Sequence, residues 1–139
     1  MTRRAHCQCG ALAVEAEGEP DSVVACSCTA CQERSGSVFG VGAYFQRERL
    51  RFSGEAREYV RVADSGKPFH TFFCPTCGTT LHWFSARDPS RVGIAVGAFG
   101  DSAFRKPDRT VFDDRRHAWV VFDNDIPGFT RGRDSERSR

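Results

Sequence analysis

CSCTACQERSGSVFG, residues 26–40, places three cysteines within six positions between two stretches that read as extended chain, DSVVACS before it and SVFGVGAYF (37–45) overlapping its end. The helix signals sit inside it. Thr29 is followed three residues later by Gln32, a capping-box spacing, and Gly36 stands where a C-terminal glycine stop belongs. One short helical turn is therefore expected near residues 29–35, set into a chain of strands. N–H groups at the start of that turn would point toward Cys26, Cys28 and Cys31, which favours thiolate charge there.

Outward from this stretch, short strand candidates follow one another at close spacing. GALAVEAEG (10–18) alternates apolar and polar residues as a half-buried strand does. RLRFSG (49–54), AREYVRVA (56–63), PFHTFFC (68–74), TTLHWFSA (79–86), VGIAVGAF (92–99) and HAWVVFD (117–123) continue the series, mostly separated by Gly, Asp, Ser or Pro. Gly100 to Arg116 reads as a long surface connection. Many short strands with almost no helix-period sequence predict an all-β fold of mainly antiparallel sheets. The 139 residues, 40% of them hydrophobic and 12 of them phenylalanine, suffice for one core. One domain is expected over residues 1–130. The tail RGRDSERSR (131–139) has no apolar residue to bury and is expected to be disordered.

The formal charge of +2 is matched by that tail alone, whose four arginines face one aspartate and one glutamate. The body is near neutral and holds no dense basic run interleaved with aromatics, so no nucleic-acid partner is expected. No N-terminal apolar region follows MTRRAHCQCG, and no run approaches the roughly 20 apolar residues that cross a bilayer. A cytoplasmic protein without a membrane partner is expected. Exposed sheet edges make a homodimer reasonable.

A reducing compartment disfavours disulfides, which leaves metal binding or thiol chemistry to explain seven cysteines. They fall into Cys7/Cys9, Cys26/Cys28/Cys31 and Cys74/Cys77, the last followed by Gly78. Such short spacings let sulfurs converge on one ion at about 2.3 Å, and four thiolates close a tetrahedral zinc site whereas three leave a position open. Two pairings satisfy the spacing. Cys28/Cys31 with Cys74/Cys77 would make a zinc ribbon. Cys7/Cys9 with Cys74/Cys77 would keep the clustered three together, and we prefer this pairing because a CxCxxC run can surround one ion by itself.

CQCGALAVEA near the start, CSCTACQERSGSVFG next and FFCPTCGTTLHW in the second half resemble the glutathione-dependent formaldehyde-activating enzyme family, which also includes centromere protein V. The resemblance covers about residues 5–128, weakening after Phe99. It implies an Mss4-like zinc-binding scaffold of β-sheets. It also implies two zinc ions, one structural on Cys7, Cys9, Cys74 and Cys77, the other on Cys26, Cys28 and Cys31 with an open position. The activity implied is that of a carbon-sulfur lyase, with glutathione the thiol co-substrate, formaldehyde its partner and S-hydroxymethylglutathione the product.

Around the three-cysteine site, Gln32, Arg34, Ser35, Ser37 and His82 are the candidate substrate-binding residues. Ser35 and Ser37 flank Gly36, Arg34 is the arginine nearest in sequence to the thiol site, with Arg47, Arg49 and Arg51 equally open as partners of a glutathione carboxylate, and His82 lies in TTLHW. Each also has a plainer role: a lone strand histidine is usually a packing residue, and Phe39 and Trp83 suit sheet core as well as a pocket wall. His6, His70 and His117 carry less weight. The competing reading is a non-catalytic zinc scaffold that binds a protein or another macromolecule.

Overall fold

A computed structural model describes all 139 residues, Met1–Arg139. The chain divides into two compact units, Met1–Asp21 with Ala43–Ala103 and Ser22–Gly42 with Phe104–Arg139. The strands are β1 (Thr2–His6), β2 (Ala13–Glu17), β3 (Ser22–Cys26), β4 (Gly40–Gln46), β5 (Leu50–Ser53), β6 (Arg57–Val62), β7 (Pro68–Phe73), β8 (Thr80–Ser85), β9 (Arg91–Ala95) and β10 (Arg109–Val111). One helix, α1 (Thr29–Ser35), lies between β3 and β4. The fold is all-β with a short helix, and its sheets are mainly antiparallel.

In the first unit β1, β2 and β5 form a three-stranded sheet in that order, both pairings antiparallel. β2 shows the alternation of its sequence directly: Val14 and Ala16 are buried while Glu15 and Glu17 face out. A second run of strands, β4–β9–β8–β7–β6, ends on β6. Phe45, Leu12, Leu81 and Ile94 are the largest fully buried side chains of this unit, and Trp83 is buried with its indole N–H donating to the Tyr44 hydroxyl at 3.1 Å. Trp83 is thus a core residue.

In the second unit β10 pairs with β3 in parallel, setting Val111 opposite Cys26. Neither β10 nor β1 is expected from the sequence. β10 has only three residues, inside a stretch that reads as surface connection, and a parallel partner some 85 positions away leaves no local signal. Conversely, residues 117–123 are irregular, although the apolar run of HAWVVFD reads as a strand. Trp119 and Val121 point to solvent there, 73% and 83% exposed. A short apolar run becomes a strand only where a neighbouring strand takes up its backbone hydrogen bonds.

Residues 131–139 lie in this second unit and are held by polar contacts. The Asp113 carboxylate, whose side chain is only 4% exposed, accepts hydrogen bonds from Thr110, Ser138 and Arg139 through the same oxygen, at 3.0, 2.6 and 2.6 Å. Phe129 and Arg137 form an isolated antiparallel bridge. A buried carboxylate supplies what an apolar anchor would otherwise provide, because leaving that charge unpaired is costly.

Candidate metal centres

Cys7, Cys9, Cys74 and Cys77 bring their sulfurs within 4.8 Å of one another in the first unit. Two related turns deliver them, each closed by a bond spanning five residues and each with a left-handed glycine. After β1, Cys7 N–H donates to the Leu12 carbonyl and Gly10 N–H to the Cys7 carbonyl; after β7, Cys74 N–H donates to the Thr79 carbonyl and Gly78 N–H to the Cys74 carbonyl. Gly10 at φ +83° and Gly78 at φ +81° occupy the left-handed region both turns require, open to glycine at little cost. Backbone N–H groups aim at the buried sulfurs, Leu12 at Cys7 (3.2 Å) and Thr76 at Cys74 (3.4 Å).

Such donors favour thiolate over thiol. The Thr79 hydroxyl, 3.3 Å from the Cys77 sulfur, followed by the Thr79 and Cys9 backbone N–H groups, lowers the Cys77 thiol to about 5. Sulfur separations of 3.6 Å (Cys7–Cys9) and 3.7 Å (Cys9–Cys74) lie close to the edge of a tetrahedron with 2.3 Å bonds, about 3.8 Å. The donor set and its dimensions fit a tetrahedral thiolate metal.

Cys26, Cys28 and Cys31 form the other cluster, in the second unit, again with all sulfurs within 4.8 Å. Cys26 is the last residue of β3, fixed from the side by β10. Cys28 is the N-cap of α1, and its sulfur accepts from the Cys31 N–H at 3.4 Å. The expected capping box is therefore displaced by one residue. A thiol occupies the cap, the Thr29 hydroxyl accepts from Arg115 (3.1 Å), and Gln32 is free to bond elsewhere. Gly36 ends the helix as expected, at φ +72° with its N–H on the Gln32 carbonyl.

Sharing hydrogens with Cys28 and Cys31, reinforced by burial, pushes the Cys26 thiol strongly up. Three thiolates this close repel one another, and a bound cation removes that penalty. Cys31 is also raised overall. Its hydrogen bond from Cys26 favours the thiolate, its contact with Cys28 and its burial oppose it, and the charge of Arg34 favours it.

Arg34 comes close to Cys31 because Gly40 leaves room for it: a Cβ at Gly40 would fall 2.5 Å from the Arg34 guanidinium and 3.6 Å from the Cys31 Cβ. Gln32 is held at both ends of its amide. Nε2 donates to the Ser27 carbonyl (2.8 Å) and the Arg115 carbonyl (3.2 Å), while Oε1 faces His117 Nε2 at 3.0 Å. Ser35 closes the turn, its hydroxyl donating to the Cys31 carbonyl (2.8 Å) and accepting from Ser37 N–H (3.1 Å). Phe39 meets Phe122 edge-to-face at 5.2 Å. Gly40, Arg115 and the contact of His117 with Gln32 escape sequence reasoning, since each acts through space that no spacing rule encodes.

His82 belongs to β8 in the first unit, stacked between Phe72 (4.6 Å) and Phe52 (4.3 Å). Its Nδ1 is buried without a partner. Burial, helped by the charge of Arg47, holds it near pKa 4, so the ring is neutral at neutral pH.

A β-scaffold carrying one four-thiol and one three-thiol cluster defines a protein with two candidate thiolate metal centres. The sequence matches the family described as glutathione-dependent formaldehyde-activating enzyme over residues 2–115, most of the chain, and the protein belongs to that family. Among solved structures, a crystal structure of a Rhodobacter sphaeroides protein aligns with a TM-score of 0.55 and 24% identity, over 68% of this chain and 85% of that one. An identity this low speaks for the fold alone. No curated protein matches. No helix is long and apolar enough to cross a membrane.

Proposed function

We propose that the protein is a zinc-dependent carbon-sulfur lyase that makes and breaks the bond between glutathione and formaldehyde at the three-cysteine cluster. The observation that carries this reading is the ligand count: three converging sulfurs, where the other cluster has four, leave one tetrahedral position for a sulfur from outside. Zinc bound by Cys26, Cys28 and Cys31 would supply the positive charge that lowers the pKa of an incoming thiol. In the reaction the glutathione sulfur bonds to the formaldehyde carbon, and the carbonyl oxygen takes up a proton as the thiol gives one up, so no oxidant or reductant is needed.

The chain's own residues bind and orient. Cys28 serves as both ligand and helix cap, which ties the cluster's geometry to α1. Arg34, whose charge acts on Cys31, would bind a carboxylate of the incoming thiol, to which a guanidinium offers two parallel donors. Gln32, with both ends of its amide engaged, positions the cluster's helix against residues 27, 115 and 117 rather than contacting substrate. Cys7, Cys9, Cys74 and Cys77 hold the structural ion. Seven free cysteines suit the reducing cytoplasm, where glutathione is available.

A non-catalytic scaffold is the second reading, favoured by the exposure of Trp119 and Val121 in the unit that carries the three-cysteine cluster. Metal analysis together with exchange NMR between glutathione and its hydroxymethyl adduct separates the two. The lyase reading expects the wild type to hold close to two zinc ions and to accelerate exchange, with both the second ion and the acceleration lost in folded Cys28→Ser. Exchange no faster than the uncatalysed rate in the two-zinc wild type overturns it.

A further inference from the structure

The outer strand β6 (REYVRV, residues 57–62) ends the sheet with no strand beyond it, and Tyr59, Val60 and Val62 are 60%, 45% and 73% exposed. Natural sheets guard such an edge with charge, proline or a bulge. β6 has no proline, and its pairing with β7 runs unbroken from Arg57↔Phe73 to Val62↔Pro68. Two of its charges turn back toward β7: Glu58 bonds His70 at 3.0 Å, and Arg61 lies over the Phe69 ring at 4.6 Å. The edge keeps Arg57 as an exposed charge and has neither a proline of its own nor a bulge in its pairing.

The ladder fixes which groups are open. Ala63 N–H donates to the Lys67 carbonyl, which with the unbroken register sets the phase of the ladder, and the Thr71 hydroxyl donates to the Tyr59 carbonyl. By antiparallel alternation Arg57, Tyr59 and Arg61 spend their N–H and C=O on β7, whereas Glu58, Val60 and Val62 present theirs outward.

We infer that β6 pairs antiparallel with β6 of a second copy of this chain, about a two-fold axis through Val60. A two-fold normal to the sheet keeps each face on its own side, so opposed residues must point the same way and the axis must pass through a residue position. Centring on Arg57, Glu58 or Arg61 sets like charges face to face, and centring on Tyr59 sets Arg57 opposite Arg61 twice. Centring on Val62 opposes only one residue of the strand to itself. Centring on Val60 opposes Val60 to Val60, Glu58 to Val62, and Tyr59 to Arg61, whose guanidinium stays over Phe69. The three outward residues then exchange about six backbone hydrogen bonds, with no direct opposition of like charges.

A contact of this size falls among the small, weak interfaces, below about 1,200 Å² in total, so the dimer is expected to be reversible with a Kd of about 10–100 μM. Sedimentation equilibrium of the full chain across that range provides the test. Val60→Pro removes an N–H that faces away from β7 and so leaves the β6–β7 ladder bonded; Val60→Lys leaves the backbone untouched and sets two ammonium groups at the axis. The expected result is a wild-type monomer–dimer equilibrium that both variants weaken at least about tenfold, with unchanged far-ultraviolet circular dichroism. A wild type still monomeric at about 300 μM, a dimer indifferent to Val60→Lys, or assemblies larger than dimers overturn the inference.

Discussion

The two cysteine clusters are built from the same ligand in opposite ways. Cys7/Cys9 and Cys74/Cys77 lie at distant points of the chain, their turns share the same five-residue closing bond, and Cys7 and Cys74 are buried. Cys26, Cys28 and Cys31 come from one six-residue stretch, all three are partly accessible, and polar side chains crowd their helix. A cluster that closes a long loop ties the fold of its unit to its ligands. A cluster drawn from one strand end and one helical turn can lose a ligand without opening the chain. The comparison teaches that ligand spacing along the sequence separates a cluster that ties distant segments together from one that a single segment can form.

The largest effect that tests this contrast is expected from Cys74→Ser. Loss of one ligand from the four-thiol site should remove about 5 kcal/mol or more, comparable with a typical domain's whole stability, so that thermal circular dichroism shows no cooperative transition. A variant melting within about 5 °C of wild type would break the comparison.

Cys28→Ser comes next. Serine caps a helix well, so stability should fall by no more than about 1 kcal/mol while bound metal drops by one equivalent and catalysed exchange by about 100-fold. Unfolding of this variant, or loss of all its metal, would make the two clusters alike.

His82 probes the first unit apart from its thiols. Its folded-state pKa of about 4 lies below the ordinary 6.5, so the unfolded chain takes up the proton first as pH falls. The contribution is complete above about pH 6.5 and is lost toward pH 4, about 3 kcal/mol in all. Protonation of the metal-site thiolates adds its own loss in the same window, so the readout is the difference between wild type and His82→Phe, which keeps an aromatic ring between Phe52 and Phe72. Chemical denaturation at pH 7 and pH 5 should show the smaller fall for the variant; equal falls would remove His82 from the pH response.

The smallest effect is expected from Gly40→Ala, which pushes the Arg34 guanidinium off Cys31 at the end of a flexible side chain. Glutathione affinity measured by calorimetry should weaken about threefold while the melting temperature stays within about 2 °C. Unchanged affinity would sharpen the comparison by removing Arg34 from the residues that bind a thiol at the three-cysteine cluster.

Much of this was legible in the primary structure because the signals are local. Thr29 to Gly36 carries its own start and stop, the alternation in Ala13–Glu17 names its buried face, and the short cysteine spacings define three sets of ligands. Where local pattern and packing part, the sequence misleads: HAWVVFD is apolar enough for a strand but packs Val120 and Phe122 from an irregular segment, and the Thr29 capping box yields its place to the Cys28 sulfur. Tertiary structure alone decided that Cys7 and Cys9 meet Cys74 and Cys77, that β10 holds Cys26 in place, that Gly40 admits Arg34 beside Cys31, and that Asp113 anchors the chain's last residues. The physical reason is common to all four. Spacing within a few residues is set by backbone geometry, whereas a contact between distant segments is decided only when the sheets between them have paired and set their register.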